Sequence, residues 1–171
     1  MAALVTKRLA LRPLAAEDAN DLFEVRGDPE AMAFWDWPED ANPAETALIV
    51  QQILKAVASG EAICWTVRLR SGQDFLGLCD LSEIQAEESA DIGFMFARRF
   101  WGFGFAQESI TCLLEQARSV GLKSVYARIH SGNQRSERLL ERTGFKLAGT
   151  LANFEIRPGV YRDCKRFQMT L

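Results

Sequence analysis

The sequence predicts one α/β (α+β) domain that spans residues 1–171. Its composition, with 48% hydrophobic and 25% charged residues, is typical of a globular protein, and 12 Gly with 5 Pro argue against collagen-like and largely disordered classes. The hydrophobic period alternates between that of strands and that of helices, without an internal repeat or a low-complexity linker. A chain of this length can bury a core without disulfides or a structural metal.

The first third of the chain predicts one strand and two helices. Residues 5–12 alternate apolar and basic side chains, which indicates a strand with one buried face. Residues 15–25 have apolar side chains at helical spacing, and Pro29 follows as a helix breaker. An aromatic-rich connection then leads to a second helix over residues 43–59, which Gly60 ends.

The rest of the chain mixes strands with two further helices. Strands are predicted over residues 63–69, 75–81, 90–97, 125–129, 145–156 and 160–169. Helices are predicted from residue 105 to a stop at Gly121, and over residues 133–143. Turn signals separate strands at residues 71–74, 85–89 and 157–159.

Charge and hydropathy narrow the classes of partner. The 20 Lys and Arg against 23 Asp and Glu give a net charge of −3, which argues against a nucleic-acid binder with a broad basic face. No apolar run approaches the about 20 residues that span a bilayer, and residues 1–12 lack the features of a signal peptide. We therefore expect a soluble, cytoplasmic protein that binds neither membrane nor nucleic acid.

The cysteines predict neither a metal site nor disulfides. Cys64, Cys79, Cys112 and Cys164 lie singly in apolar segments, and the chain has one histidine, His130. We expect buried, reduced thiols and no metal. A nucleophilic Cys–His pair stays open from the sequence alone, but no neighbouring residue favours it.

A glycine-rich turn between a predicted strand and a helix is the first functional signal. Gly102 and Gly104 precede a helix that begins at about Phe105, so backbone N–H groups and the positive end of the helix dipole point to one place. Such a place binds phosphate. The same glycines also suit a tight turn that needs positive φ, and the loop has neither the Walker lysine nor the third glycine of a dinucleotide fingerprint.

Several short phrases occur in order along nearly the whole chain. They are Thr6-x-Arg8-Leu9-x-Leu11-Arg12-Pro13-Leu14 with Asp28-Pro29-Glu30, Asp91-Ile92-Gly93-Phe94, Arg99-x-x-Gly102-x-Gly104-Phe105-Ala106, Asn133-x-x-Ser136-x-Arg138-x-Leu140-Glu141-x-x-Gly144-Phe145, and Gly159-x-Tyr161-x-Asp163. Together they resemble the GCN5-related N-acetyltransferases (GNAT), and in particular their RimJ/RimL-like branch.

This resemblance implies a fold and a co-substrate. The fold is a central, twisted, mixed and mostly antiparallel sheet of about seven strands with about four flanking helices. Its fourth and fifth strands splay apart, so that the pantetheine of acetyl-CoA lies along the fourth strand like an added strand. The implied acetyl-CoA residues are Phe94, Met95, Phe96, Arg99, Gly102, Phe103, Gly104, Phe105, Ala106, Asn133, Ser136 and Arg138. Asn133 also suits a helix N-cap, and Arg138 also suits a solvated helix face.

The resemblance also implies direct attack of an amine on the thioester, which requires a proton acceptor. Asp91 stands where the family commonly has Glu, and we expect it to act through water, although it also suits amine binding or a surface position. Glu155 is a second carboxylate that we rank behind it. Leu140 replaces the usual tyrosine general acid, so Ser136 becomes the candidate proton donor to the thiolate.

Aromatic residues of the first connection are the expected acceptor site. Phe34, Trp35 and Trp37 could wall the acceptor groove or pack the helices onto the sheet. Ala152 replaces a common arginine of the branch, which argues against a shared acceptor, and we interpret His130 as structural.

We therefore expect an acetyl-CoA-dependent N-acetyltransferase of a primary amine, either a protein N-terminus or a small molecule. The alternatives are a non-catalytic acyl-CoA-binding or sensing domain and a nucleotide-binding enzyme that uses the glycine turn alone. The sequence is compatible with a homodimer without specifying the oligomeric state.

Overall fold

The computed structural model describes residues 2–72, 74–85 and 88–171, and in these residues eight strands form one sheet. The strands are β1 (Leu4–Val5), β2 (Leu9–Pro13), β3 (Ile63–Leu69), β4 (Phe75–Gln85), β5 (Ser89–Phe96), β6 (Ser124–His130), β7 (Lys146–Arg157) and β8 (Val160–Thr170). They lie in the order β1-β2-β3-β4-β5-β6-β8-β7. Within the described residues all neighbours are antiparallel except β5 and β6, so the predicted mixed, mostly antiparallel sheet is confirmed.

The same ranges contain five α-helices. They are α1 (Ala19–Arg26), α2 (Pro29–Met32), α3 (Pro43–Ser59), α4 (Phe105–Ser119) and α5 (Gln134–Arg142). The helix predicted over residues 43–59 is confirmed to the residue as α3. The Asn42 side chain accepts two backbone N–H groups at its start, Pro43 takes the first helical position, and Gly60 ends it with a φ of +82°.

The sheet separates two hydrophobic cores. On one face α4 and α5 contribute the fully buried side chains of Ile110, Leu113 and Leu140. On the other face α1 and α3 contribute Leu22 and Val50. Each such side chain stabilises the fold by about 1.5–3 kcal/mol relative to an exposed position. The two helical layers thereby hold the middle of the sheet between them.

β5 and β6 diverge at the middle of the sheet. In the part of the chain that the structure describes, β5 pairs with β6 only through Ser89, Ala90 and Asp91. Beyond this point β6 continues against β8, and β5 continues against β4. The fourth and fifth predicted strands correspond to β5 and β6, so their predicted splay is confirmed. The splay opens a gap at the carboxyl end of β5.

Two local features raise the number of elements above the prediction. The strand predicted over residues 5–12 is split into β1 and β2, because a turn joins Thr6 to Leu9 through two hydrogen bonds of 2.9 and 3.0 Å. The Asp28-Pro29 pair ends α1 as predicted and also begins α2, since the Asp28 carboxylate accepts two backbone N–H groups of that helix.

Two predicted turns lie partly outside the described residues, because they include Gln73, Ala86 and Glu87. β4 extends beyond residue 81, since Ser82 still pairs with Asp91 of β5. No described helix is both long enough and apolar enough to cross a membrane.

All four cysteines are free thiols. Cys64, Cys79 and Cys164 are buried and Cys112 is half-buried. Within residues 2–72, 74–85 and 88–171, no cluster of three or more His, Cys, Asp or Glu side chains could hold a metal ion.

Candidate active site

A cleft of about 470 Å³ lies where β5 leaves β6. It is lined by residues of β5, of α2 and the segment after it, and of the starts of α4 and α5. The lining residues are Glu30, Ala31, Ala33, Phe34, Trp35, Phe94, Met95, Phe96, Trp101, Ala106, Gly132, Asn133, Gln134, Arg135, Ser136 and Leu139. A space of this size suits an elongated ligand arm.

The wall formed by β5 offers a strand edge to the cleft. Phe94 and Met95 pair with β4 on one side, and the pairing with β6 on the other side has already ended at Asp91. The backbone edge from Phe94 to Phe96 therefore faces the space between the two strands. An extended chain of amides can add to such an edge as a further strand.

The glycine turn has the positive φ values of a tight turn and leaves space beside its backbone. Gly102 and Gly104 have φ values of +86° and +78°, so the turn needs residues that tolerate the left-handed region. A side-chain carbon at Gly102 would meet no atom within 4 Å, and at Gly104 it would meet only Arg8 Nη2, at 3.5 Å. The turn is thus open toward a ligand, and Gly104 is the N-cap residue of α4.

Arg8 fixes this turn from β2. Its Nη1 donates to the Phe103 carbonyl oxygen at 2.9 Å, and its Nε donates to Glu108 in the first turn of α4 at 2.6 Å. The guanidinium also lies over the Phe105 ring, 4.4 Å from its centre. The turn and the start of α4 are therefore held in one conformation by a residue outside the cleft.

The start of α5 brings Asn133 and Ser136 to the cleft. The Asn133 side-chain oxygen accepts the Ser136 backbone N–H at 3.2 Å, which confirms the predicted N-cap. Both residues also line a second, smaller cavity. Asn133 and Ser136 therefore lie where the cleft and this second cavity meet.

The sequence did not single out Arg135 as the basic residue of the cleft. Its guanidinium lies 3.8 Å from the centre of the Trp101 ring, and both residues line the cleft. Arg138, which was predicted there, is exposed and donates to Gln134 at 3.3 Å on the same helix. The Arg99 side chain points toward α1 and forms a 3.0 Å ion pair with Glu24.

The predicted acetyl-CoA residues therefore divide into two groups. Six of them line the cleft, namely Phe94, Met95, Phe96, Ala106, Asn133 and Ser136. The others lie outside its lining, namely Arg99, Gly102, Phe103, Gly104, Phe105 and Arg138. Of these, residues 102–105 form the glycine turn and the start of α4.

The second cavity, of about 210 Å³, continues from the cleft toward the paired end of β5. The two spaces share Phe34, Trp35, Phe94, Asn133 and Ser136. Four acidic residues line the second one, namely Asp36, Asp80, Glu83 and Asp91. Arg128 and His130 also line it, and both contact Asp36. The other three carboxylates would attract a cationic group that enters this cavity.

Asp91 lies in this cavity, as its prediction as a proton acceptor requires. It is half-buried on β5, and burial and the Glu83 carboxylate raise its pKa. Arg166 and Arg128 act in the opposite direction without reversing the shift.

Asp80 is an acidic group of this cavity that the sequence did not single out. It lies on β4 and is mostly buried, with a limited surface in the cavity. Burial raises its pKa to about 6; a hydrogen bond from Ser82 lowers this value, and the Asp91 charge raises it. Its signal in the sequence is a lone carboxylate within the apolar strand predicted over residues 75–81.

Asp36 connects the aromatic segment to β6. Its carboxylate accepts two bonds from Arg128, at 2.7 and 3.1 Å, and lies 2.9 Å from His130 Nε2. Burial opposes its ionisation, but these hydrogen bonds hold the pKa of Asp36 below its usual value. His130 is buried against this carboxylate and also lines the second cavity, so its structural role stays a prediction. The Arg157 guanidinium also donates to the Asp36 carbonyl oxygen.

The three aromatic residues have different positions. Phe34 and Trp35 line both cavities, and Trp35 also packs on the core beside α1 and α3. Trp37 lines neither cavity, is 57% exposed and lies below the Arg157 guanidinium. The structure therefore brings two of the three to the predicted groove.

The structure does not bring Glu155 to the cavities. It is exposed on β7, and its Oε1 accepts the backbone N–H of Gly159 in the β7–β8 turn at 2.9 Å. Leu140 is fully buried in the core. Ala152 is exposed on β7.

Comparison with known proteins places this geometry in a family. The family model described as "Acetyltransferase (GNAT) domain" matches residues 8–146. An uncharacterized N-acetyltransferase p20 from Bacillus licheniformis is 28% identical over 99% of this chain and 96% of its own.

Solved structures share the fold. An acetyltransferase of Salmonella typhimurium that modifies the N-terminal serine of ribosomal protein L7/L12 superposes with a TM-score of 0.87, at 20% identity over 98% of each chain. Spermidine N-acetyltransferase from Vibrio cholerae, in complex with CoA and spermine, superposes with a TM-score of 0.83, at 23% identity over 96% of each chain.

Proposed function

The chain belongs to the GNAT acetyltransferase family, and we propose that it transfers the acetyl group of acetyl-CoA to a primary amine. The observation that carries this proposal is the junction of two spaces: a cleft beside the free edge of β5 meets a carboxylate-lined cavity at Asn133 and Ser136. One space suits the thioester arm and the other suits the amine. The reacting atoms would meet at the junction.

Acetyl-CoA would bind mainly through backbone groups. The pantetheine amides match the open edge of Phe94–Phe96, and the pyrophosphate matches the N–H groups of the turn from Gly102 to the start of α4. Arg135 adds a positive charge at the cleft. The Arg99 side chain is engaged with Glu24, so we propose that only its backbone takes part.

The transfer itself requires that protons leave the amine and reach the sulfur. The amine nitrogen forms a bond to the thioester carbon, and the C–S bond breaks to release a thiolate. We propose that a carboxylate of the second cavity accepts the ammonium proton, with Asp91 as the residue that the sequence indicates. We propose that the Ser136 hydroxyl donates a hydrogen bond to the leaving thiolate.

The acceptor class follows from the charge of the second cavity. Asp80 and Asp91 line it, and the Asp36 carboxylate there is already paired with Arg128. A cationic primary amine complements the remaining carboxylates. The two solved relatives act on a protein N-terminal serine and on spermidine. We therefore propose an N-terminal α-amine or a small polyamine-like molecule, in keeping with the RimJ/RimL-like branch. Cytoplasmic location and homodimerisation remain predictions from the sequence.

A non-catalytic acyl-CoA-binding domain is the second candidate function. It is favoured by Leu140, which is buried in the core where many relatives have a tyrosine acid. Release of CoA thiol in the presence of spermidine and of peptides with N-terminal Ser or Ala distinguishes the two. Thiol release with at least one amine supports the transferase. Thermal stabilisation by acetyl-CoA without thiol release supports the binding domain, and stabilisation by ATP or NAD alone supports a nucleotide enzyme.

A further inference from the structure

We propose that Asp80, rather than Asp91, is the catalytic residue that accepts the proton of the acceptor ammonium. This inference rests on the proposed acetyl transfer and deepens it. In this assignment Asp91 binds the ammonium group, and its negative charge increases the proton affinity of Asp80.

The strand register places the two carboxylates on one face of the sheet. Ser82 lies directly opposite Asp91 of β5, and Asp80 is two residues before Ser82 on β4. Residues two apart on a strand share a face, as do directly opposed residues. Both carboxylates therefore face the side of the sheet where the second cavity lies, and both line it.

Gly93 makes the space that the Asp80 carboxylate occupies. It is the residue opposite Asp80 on β5, and a side-chain carbon there would lie 2.4 Å from Asp80 Oδ1. A residue other than glycine would displace the carboxylate. Gly93 also precedes Phe94, which belongs to both spaces. The carboxylate thus lies beside the strand edge where the thioester arm would end.

Burial is the main cause of the raised pKa of Asp80, and the neighbouring groups adjust it. From β3 the opposing residue is Cys64, whose thiol has a pKa raised well above its usual value by burial. From β5 the Asp91 charge raises the pKa of Asp80, and from β4 the Ser82 hydroxyl lowers it. A proton acceptor works best when its pKa lies near the working pH, and the value of about 6 for Asp80 meets this condition.

The other charged groups of the cavity do not take this role. Arg128 and His130 of β6 are paired with Asp36 of the aromatic segment. Glu83 is exposed at the end of β4. Burial and the Glu83 carboxylate raise the pKa of Asp91, while Arg166 and Arg128 oppose this rise. These two guanidinium groups favour the charged form of Asp91, which suits it to hold an ammonium group.

The proposed step balances as follows. The Asp80 carboxylate accepts one proton from the bound ammonium, directly or through a water molecule, and leaves a neutral amine. The amine forms the C–N bond and the C–S bond breaks. The nitrogen then loses its second proton, and the thiolate gains one. Asp80 returns its proton to solvent before the next cycle.

Three variants test the assignment through the pH dependence of kcat/KM, measured with an amine that the wild type acetylates. In the wild type, kcat/KM should fall as pH decreases through about 6, and we call this fall the acid limb. Asp80→Asn should lower kcat/KM by about 100-fold and remove the acid limb. Asp91→Asn should raise KM for the amine and move the limb to lower pH, because a negative charge beside Asp80 is lost. Ser82→Ala should move the limb to higher pH, because the hydrogen bond that stabilises the carboxylate is lost.

These shifts in opposite directions are not expected of a merely structural residue. If Asp91→Asn removes the acid limb and Asp80→Asn retains it, the assignment is overturned. NMR titration of ¹³C-labelled aspartate provides a readout that needs no turnover. If the Asp80 carboxyl titrates near the ordinary aspartate value, the proposal is overturned, even if no amine is acetylated. If Asp80 titrates with a midpoint near 6 but no amine is acetylated, the result contradicts the proposed function instead.

Discussion

The Asp36 carboxylate and the Arg128 guanidinium form a two-bond ion pair that connects the aromatic segment to β6. This contact holds the segment that lines both cavities against β6, where β5 and β6 diverge. It also pairs one of the four carboxylates that line the second cavity. The aromatic segment that lines the second cavity is therefore held by charge pairing as well as by packing.

Asp36→Ala should weaken both the fold and the binding of the amine. Arg128 and His130 lose their shared partner, so we expect the free energy of unfolding to fall by about 1–3 kcal/mol. The KM for the amine should rise while the Kd for acetyl-CoA stays unchanged. Urea unfolding and steady-state kinetics measure these effects. Glu24→Ala, which removes the more exposed ion pair with Arg99, is the control and should cost less than about 1 kcal/mol.

The pKa of Asp80 predicts a specific dependence of stability on pH. The folded protein binds this proton with a pKa of about 6, whereas an unfolded aspartate has a pKa of about 3.9. The contribution of Asp80 to stability therefore falls as pH rises from about 4 to about 6 and is constant above. Asp80→Asn removes this penalty. The free energy of unfolding of Asp80→Asn minus that of the wild type should therefore be about 1–3 kcal/mol larger at pH 7.5 than at pH 4.5 in urea unfolding. An equal difference at both pH values would contradict the burial of a titrating carboxylate.

The Asp36 carboxylate should act in the opposite sense and in another pH window. Its pKa is held below the ordinary value, so its contribution to stability is present above about pH 4 and is lost as pH falls further. The comparison at pH 4.5 and 7.5 lies above this window and therefore reports mainly on Asp80.

Gly104→Val should weaken acetyl-CoA binding by about 10-fold or more, equivalent to about 1.4 kcal/mol. The variant places a branched side chain at a φ of +78° where the ligand backbone contacts would form. Gly121→Val is the matched control, since Gly121 has a φ of +90° with no atom near its missing side chain and follows the far end of α4. Both variants should lose stability, but only Gly104→Val should change the Kd measured by calorimetry. Equal affinities in the two folded variants would mean that the turn does not bind the co-substrate.

Ser136→Ala should lower turnover by about 10-fold and leave the acid limb of the pH profile in place. A thiolate leaves without a strong acid, so the loss corresponds to one hydrogen bond of about 1–2 kcal/mol. Ser119→Ala, at the end of α4, removes a hydroxyl that bonds only within its own helix and should not affect turnover. Turnover of Ser136→Ala at the wild-type rate would remove Ser136 from the mechanism.

Local signals account for the elements that the sequence predicted well. The bounds of α3 follow from a capping Asn, a first-turn Pro and a terminal Gly, which act within a few residues. β3 matches the predicted residues 63–69 for a similar reason, since its period of two is strong.

The site features that sequence reasoning missed depend on register between distant strands. Asp80 becomes a cavity residue only because β4 places it between Cys64 and Gly93.

The contacts of the site could likewise not be read from spacing. Arg135 and Arg138 are both on α5, and only the position of Trp101 determines that Arg135 lines the cleft. Glu155 is a carboxylate on a strand next to β8, but the β7–β8 turn uses it to accept a backbone N–H. Such outcomes depend on tertiary contacts between segments far apart in the chain.

The most direct test of acetyl transfer uses deuterated acetyl-CoA with spermidine and with peptides that begin with Ser or Ala. Mass spectrometry of the amine and thiol titration of the same mixture should give equal amounts of deuteroacetylated amine and free CoA, with the label on a primary amine. Gly104→Val should reduce both amounts together. Protection of the protein by acetyl-CoA against thermal unfolding, with no labelled amine from any acceptor, would contradict the proposed transferase and identify a binding domain.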